Sequence, residues 1–235
     1  MAAIVSMGSL YFNGEAQAVG VSYNGETISF EDTVPGKEIQ WVNVNGLLIA
    51  DRCLCNNISW EQLNALGLVL GSIIRIDGEF YFCRCLKVGA KEGVPNEWDT
   101  ALDVAGDSNE LWHWDRQFFW GQETTNPTSY RGVRGYHSAR IWSYYNATGR
   151  DAAVGFRPAL ETLGSEPCPP DTLIGKPARI YGPAGATLEG RLLDADDYDL
   201  VLQPTSMVPK GCPWAHWDGS RLTVDRASVS WLKGA

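Results

Sequence analysis

The sequence has 235 residues, 44% hydrophobic and 20% charged, an ordinary globular composition that excludes a disordered or fibrous chain. Its formal net charge of −9 repels nucleic acid and anionic membranes as a whole, so an anionic partner would need a local basic patch. Ten Trp, nine Tyr and seven Phe exceed what a core of this size needs, and exposed aromatic residues usually indicate binding.

Short alternating runs predict strands in the first part of the chain. Residues 19–23 and 27–30 flank Asn24-Gly25, which predicts a hairpin. Ser59 and Gln62 have the spacing of a capping box and predict a short helix over 60–66. Further strands are predicted at 40–44, 47–51, 72–76 and 79–88, the last two joined by the turn Asp77-Gly78.

Residues 91–126 are rich in Gly, Asp, Asn and Trp, and apart from a predicted helix over 96–104 they lack periodicity. Such a segment is predicted to be irregular, and to be either functional or held in place by its aromatic residues. The proline-rich stretch 164–170 predicts a boundary, after which strands at 173–181, 187–193, 199–203 and 228–232 suggest a small barrel. The expected fold class is α+β, with an irregular ligand-binding domain over 1–165 and a small β-barrel over 171–235.

The cysteines allow two interpretations. Four of the six form two Cys-x-Cys pairs, at 53 and 55 and at 83 and 85. Four thiolates could hold zinc, although structural zinc sites usually use Cys-x2-Cys knuckles. Residues i and i+2 of a strand share one face, and this favours buried, reduced thiols without metal.

No catalytic motif was found. The chain lacks a nucleophile elbow, a phosphate-binding loop and a His-Glu-x2-His sequence, and its three histidines are scattered. Neither a catalytic residue nor a metal or other cofactor is predicted. The longest apolar stretch, 65–74, is too short to cross a bilayer, and the N-terminus lacks the basic residues of a signal peptide.

The segment 111–160 is the most informative. It carries six arginines against three acids, a net charge of +3, whereas the rest of the chain carries −12, and it contains eleven aromatic residues. Such a surface can bind an anion, an aromatic ligand or a protein, although Trp and Arg can equally form the core of an irregular domain. Arg140 and Arg157 are expected to be structural and bonded to loop carbonyls. The candidate ligand-binding residues are Arg131, Arg134, Tyr136, Tyr144, Tyr145, Asn146, Trp114 and Trp120.

Three motifs follow one another here: Tyr130-Arg131-Gly132-Val133-Arg134-Gly135, Ser138-Ala139-Arg140-Ile141-Trp142, and Val154-Gly155-Phe156-Arg157-Pro158-Ala159-Leu160. Their order resembles the C-terminal part of C-type-lectin-like domains of the formylglycine-generating-enzyme type. Similar domains occur in bacteriophage proteins, including variable proteins of diversity-generating retroelements. In those variable proteins the ligand contacts lie just before Gly-Phe-Arg, where this chain has residues 143–148.

The resemblance implies binding without catalysis. Residues 131–160 contain no cysteine, so formylglycine generation is not expected, and the calcium signatures of sugar-binding lectins are missing. We therefore expect a phage-type recognition protein that binds a host protein, glycan or other surface molecule. The alternative is a soluble counter-defence protein that sequesters a small anionic, nucleotide-like signal or inhibits a host defence protein. Either would act in the host cytoplasm or on the virion, with no membrane or nucleic-acid partner; homo-oligomerisation is left open.

The C-terminal segment resembles the first half of an Sm-like or SH3-like barrel. The resemblance rests on residues 173–176, 188–193 and 198–202. Asp199 lies near the position of the RNA-contacting Asn of the Sm-like family. An acidic residue there opposes RNA binding, so partner binding or structural support is expected.

Overall fold

The computed structural model describes residues 3–205 and 212–235, and the chain divides into two compact units, Met1–Thr162 and Leu163–Ala235. Strands make up 46% of the protein and helices 13%. The expected α+β class is therefore wrong, and the protein is mostly β. One reason is that the segment predicted to be irregular includes Phe118–Thr124, whose aromatic residues form an inner strand of a sheet.

The described part of the first unit contains these elements: β1 (Ala3–Phe12), β2 (Glu15–Ala16), β3 (Val21–Ser22), β4 (Ile28–Glu31), β5 (Glu38–Val44), β6 (Leu47–Ala50), β7 (Cys55–Asn56), α1 (Trp60–Ala65), β8 (Ser72–Ile76), β9 (Glu79–Cys85), α2 (Glu97–Ala105), α3 (Asn109–Trp112), β10 (Phe118–Thr124), β11 (Tyr130–Gly135), β12 (Trp142–Asn146), β13 (Val154–Phe156) and β14 (Pro158–Gly164), which ends just past the unit boundary.

These strands form two sheets. The first has the order β2-β1-β5-β6-β14-β9-β8, with β4 also paired to β1, and the second has the order β12-β11-β10-β13-β7-β3. Strands β10, β11 and β12 form an antiparallel meander, and β12 is the terminal strand. Among the described residues, the second sheet therefore ends in a strand that pairs on one side only.

Strand alternation places two hydrophobic clusters on opposite faces of this meander. Trp120 and Val133 belong to one cluster, whereas Phe119 packs with Trp98 and Trp112 in the other. All five of these side chains are buried. Because both faces of β10 are covered, this strand anchors β11 and β12 to the body of the unit.

Local sequence signals predicted two helices and one hairpin correctly. Helix α1 begins at the Ser59–Gln62 capping box, with both reciprocal hydrogen bonds present. Helix α2 begins after Asn96, whose side chain accepts a hydrogen bond from the Asp99 amide. Strands β8 and β9 pair across the Asp77-Gly78 turn, where Asp77 adopts a positive φ of 50°.

The hairpin predicted at Asn24-Gly25 is wrong. Strand β3, on one side of the turn, pairs with β7 in the second sheet, whereas β4, on the other side, pairs with β1 in the first. The turn therefore connects two sheets. A two-residue turn favours a hairpin locally, but longer-range pairing determined both partners here.

The four Cys-x-Cys thiols are buried, as the packing interpretation predicted, and no cysteine of the described residues is in a disulfide. Burial raises the pKa of the Cys53 thiol to about 11, against a smaller opposing effect of the Arg157 charge. Burial likewise raises the pKa of Cys55, Cys83 and Cys85. At neutral pH these side chains are protonated and pack as small apolar groups.

The described part of the second unit contains β15 (Pro177–Tyr181), β16 (Thr187–Ala195), β17 (Asp199–Pro204), β18 (Ala215–Trp217), β19 (Leu222–Asp225) and β20 (Trp231–Gly234). These strands form one six-stranded sheet in the order β18-β19-β17-β16-β15-β20. Its core contains Leu192, Leu200 and Leu202, all at most 1% exposed. That it forms a closed Sm-like or SH3-like barrel over 171–235 remains a prediction.

None of the helices in the described ranges has the length and hydropathy needed to span a bilayer.

Candidate binding surface on strand β12

The pairing of β11 with β12 determines where the predicted binding residues point. Tyr144 lies opposite Gly132, and Tyr145 lies opposite Arg131. Residues directly opposite each other in an antiparallel pair share a face, and successive residues alternate between faces. Strand β12 therefore divides its own side chains into two sets.

Three aromatic side chains lie on the outer face of the β11–β12 pair and are called here the aromatic ladder: Trp142 and Tyr144 of β12, and Tyr130 of β11. The Tyr144 ring lies 5.3 Å from the Tyr130 ring and 6.1 Å from the Trp142 ring, centroid to centroid. Tyr144 is 54% exposed, and the other two residues are half-buried. The three rings thus form one accessible aromatic strip.

One end of the ladder is fixed by a backbone contact. The Trp142 Nε1–H donates to the Gly89 carbonyl at 2.8 Å. Gly132 permits this approach, because a Cβ at that position would lie 3.1 Å from the same carbonyl oxygen. A hydrogen-bonded indole holds its ring in place, so this part of the surface is preorganised.

The inner face of β12 is part of the core. The Tyr145 ring packs 5.8 Å from the ring of Trp120, which is fully buried and donates its Nε1–H to the Ile58 carbonyl. The Arg131 guanidinium lies 4.1 Å from the centre of the Trp60 ring and donates to the Tyr130 carbonyl. Trp120 is thus a core residue, and Tyr145 and Arg131 mainly join β11 and β12 to the rest of the unit.

Arg134 is also placed away from solvent. Its side chain is 3% exposed and forms an ion pair with Asp99 of α2. Burial opposes the charged form and lowers the pKa of Arg134, while Asp99 acts in the opposite direction. An arginine so enclosed lies outside the accessible surface on which a ligand would bind.

The basic character of residues 111–160 is largely cancelled in the fold. Arg134 pairs with Asp99, and Arg140 pairs with Asp103 and Asp107 at 3.0 and 3.2 Å. All three aspartates precede the segment in which the charge was counted. The net charge of +3 was a property of the sequence window and does not describe an exposed basic patch.

The other predicted residues lie apart from the ladder or at its end. The Tyr136 ring stacks on Phe118 with centroids 4.8 Å apart, and the Trp114 indole donates to the Asp107 carbonyl. Asn146 is exposed at the end of β12, where its side-chain oxygen accepts two hydrogen bonds from Thr148. The eight predicted residues therefore do not form one surface.

The two arginines predicted to be structural differ. Arg157 is fully buried, donates to the Trp112 carbonyl, and lies 5.0 and 4.7 Å from the ring centres of Trp98 and Phe119. Its predicted bond to a carbonyl is confirmed. Arg140 is exposed and pairs with carboxylates, so the expectation that it bonds to loop carbonyls is wrong.

Tyr130 and Trp142 were missing from the predicted site. A signal for Trp142 was present, because Trp142 and Tyr144 are two residues apart and must share a face of any strand through them. Tyr130 could be added only once the register of β11 against β12 was known.

Comparisons with known proteins give no match: no family model, no curated protein and no solved structure is significantly similar to this chain.

Proposed function

We propose that this protein is a recognition protein that binds a partner protein through the aromatic ladder. The observation that supports this most directly is the unequal coverage of one strand. The inner face of β12 packs against the core, whereas the outer face leaves Tyr144 54% exposed between two further aromatic residues. Clustered exposed aromatic side chains are more often found at binding sites than elsewhere on a protein surface.

The chemistry of the ladder suits protein recognition. Tyr and Trp provide large contact areas with few rotatable bonds, and each has a polar group that can bond at the rim of an interface. Asn146 and Thr148 are exposed beside the ladder and are polar. An aromatic centre with a polar margin is the usual arrangement of a protein interface.

Among the described residues, sequestration of a small anion has no comparable support. A cleft of about 520 Å³ lies between the β5–β6 turn and the start of α2, but it has neither arginine nor aromatic residues in its lining. Its cation is Lys87, beside Glu97 and Glu123, whose carboxylates accept hydrogen bonds from the Lys87 and Val88 amides. Two carboxylates oppose an anion, so we do not propose this function.

The test is binding of the purified chain to arrays of folded proteins and of glycans. We expect protein spots whose signal falls about thirtyfold in Tyr144→Ala, as for a central aromatic contact. Tyr198→Ala is the matched control, because Tyr198 is 80% exposed in the second unit and should not affect binding. Signals that persist unchanged in Tyr144→Ala would contradict the proposal, and signals on glycans alone would change the class of partner.

A further inference from the structure

The register of β12 shows which backbone groups point away from β11. The Gly135 amide donates to the Ile141 carbonyl, and the Ala147 amide donates to the Ser129 carbonyl. The 135–141 and 129–147 pairs continue, by one residue at each end, the register in which Gly132 lies opposite Tyr144. Hydrogen-bonded and non-hydrogen-bonded pairs alternate in an antiparallel ladder. The 142–134 and 144–132 pairs are therefore non-hydrogen-bonded.

It follows that the N–H and C=O groups of Trp142 and Tyr144 point to the open edge. Within the described part of the chain, β12 pairs with β11 alone. Trp142 and Tyr144 also carry two of the three ladder rings. The same two residues thus present both free backbone groups and aromatic side chains, side by side.

This edge lacks the features that normally prevent strand pairing. Proteins usually protect exposed edges with lysine or other charged residues, proline or a bulge. Residues 141–149 contain no charged residue and no proline, and the β11–β12 register is continuous. The edge is therefore open to another strand.

The charge of the first unit indicates what kind of strand would fit. Residues 1–162 contain twelve basic and nineteen acidic residues, a net charge of −7. Several of the arginines are already engaged, including Arg84 with Glu97 and Glu161 and Arg134 with Asp99. A basic segment is attracted to such a unit and a neutral one is not repelled, whereas a second copy of this chain, also at −9, is repelled.

We propose that the partner contributes an extended, neutral-to-basic peptide segment that adds to the edge of β12 as a further strand. Its backbone would bond to Trp142 and Tyr144, and every second side chain would pack on the aromatic ladder. An arginine at those positions would stack on the rings, and an aliphatic residue would pack against them. This inference rests on the proposed function and specifies the chemistry of the partner.

The experiment uses a displayed library of random linear peptides of about twelve residues, more than enough to cover the five residues of β12. Peptides are selected on the whole wild-type chain and then measured against Tyr144→Ala and Tyr198→Ala. We expect enriched peptides of neutral or basic charge. Their affinity should fall about thirtyfold on Tyr144→Ala and stay unchanged on Tyr198→Ala.

Backbone methylation then tests strand addition separately from side-chain contact. Each selected peptide is made in two forms, N-methylated on one or the other alternating set of amides. Methylation of the amides that face β12 should lower affinity about tenfold or more, because hydrogen bonds are lost and the methyl groups obstruct the edge. The other set faces solvent and should change affinity less than about twofold.

The outcomes distinguish the two proposals. If both methylated forms bind alike while Tyr144→Ala still abolishes binding, strand addition is overturned and recognition by the ladder stands. If every selected peptide binds Tyr144→Ala as well as wild type, or if no peptide is enriched, the strand inference is overturned. The protein array then decides the proposed function by itself.

Discussion

Tyr144 and Tyr145 are adjacent on β12, yet they lie in different parts of the molecule. Tyr145 packs against Trp120 beside a hydrophobic cluster, whereas Tyr144 is 54% exposed in a strip of aromatic rings. The difference comes from strand alternation, which turns successive side chains to opposite faces. One short strand can therefore both stabilise the unit and present a binding surface, and the two roles should be separable by single substitutions.

The largest expected effect is on the inner face. Trp120→Ala should lower the free energy of unfolding by about 3–5 kcal/mol, because it creates a cavity and leaves the Ile58 carbonyl without its indole donor. Urea unfolding measures this change. The folded fraction should retain the wild-type affinity for selected peptides. A loss below about 1 kcal/mol would place Trp120 outside the core.

The enclosed arginine should give an intermediate effect. Arg134→Ala removes the partner of Asp99, which is itself about one-third exposed, and should destabilise the protein by about 1–2 kcal/mol. Arg140→Ala is the matched control: it breaks two exposed ion pairs and should change stability by less than about 1 kcal/mol. If Arg134→Ala and Arg140→Ala were equally stable and Arg134→Ala bound peptides more weakly, Arg134 would instead be part of the binding surface.

Acid should lower the stability of the first unit through Asp77, an exposed residue of the β8–β9 turn. Its carboxylate accepts hydrogen bonds from the Thr33 hydroxyl and amide, which lower the pKa of Asp77. A lowered pKa gives stability that is present above the unfolded value of about 3.9 and is lost as the pH falls through the folded value. Asp77→Asn should therefore show a smaller loss of stability below about pH 4, measured by urea unfolding at several pH values. An identical pH dependence in wild type and variant would exclude this contribution.

Elements specified by neighbouring residues could be predicted from the sequence. The capping box at Ser59 and the turn at Asp77-Gly78 each follow from preferences of a few adjacent residues. The partners of β3 and β4 depend on strands far away in the chain, so the signal at Asn24-Gly25 was misleading. The net charge of residues 111–160 wrongly indicated a basic surface for a similar reason, because Asp99 of α2 pairs with Arg134 only in the folded unit.

The separation of the predicted binding residues onto two faces of β12 followed partly from the alternation of side chains along a strand. Once β12 was assigned as a strand, Tyr144 and Tyr145 could not share a face. Which of the two tyrosines packs against the core depends on the position of β12 at the end of its sheet and on the packing of Trp120 beneath Tyr145. Neither fact is visible in a pattern of one short segment.

The most direct test of this account compares Tyr144→Ala with Tyr145→Ala in two measurements, urea unfolding and affinity for a selected peptide. Tyr144→Ala should leave the free energy of unfolding within about 0.5 kcal/mol of wild type and weaken binding about thirtyfold. Tyr145→Ala should lower the free energy of unfolding by about 1–3 kcal/mol, while its folded fraction binds normally. If Tyr145→Ala lost binding at unchanged stability, or if Tyr144→Ala destabilised the fold and bound normally, the assignment of the two faces would be contradicted.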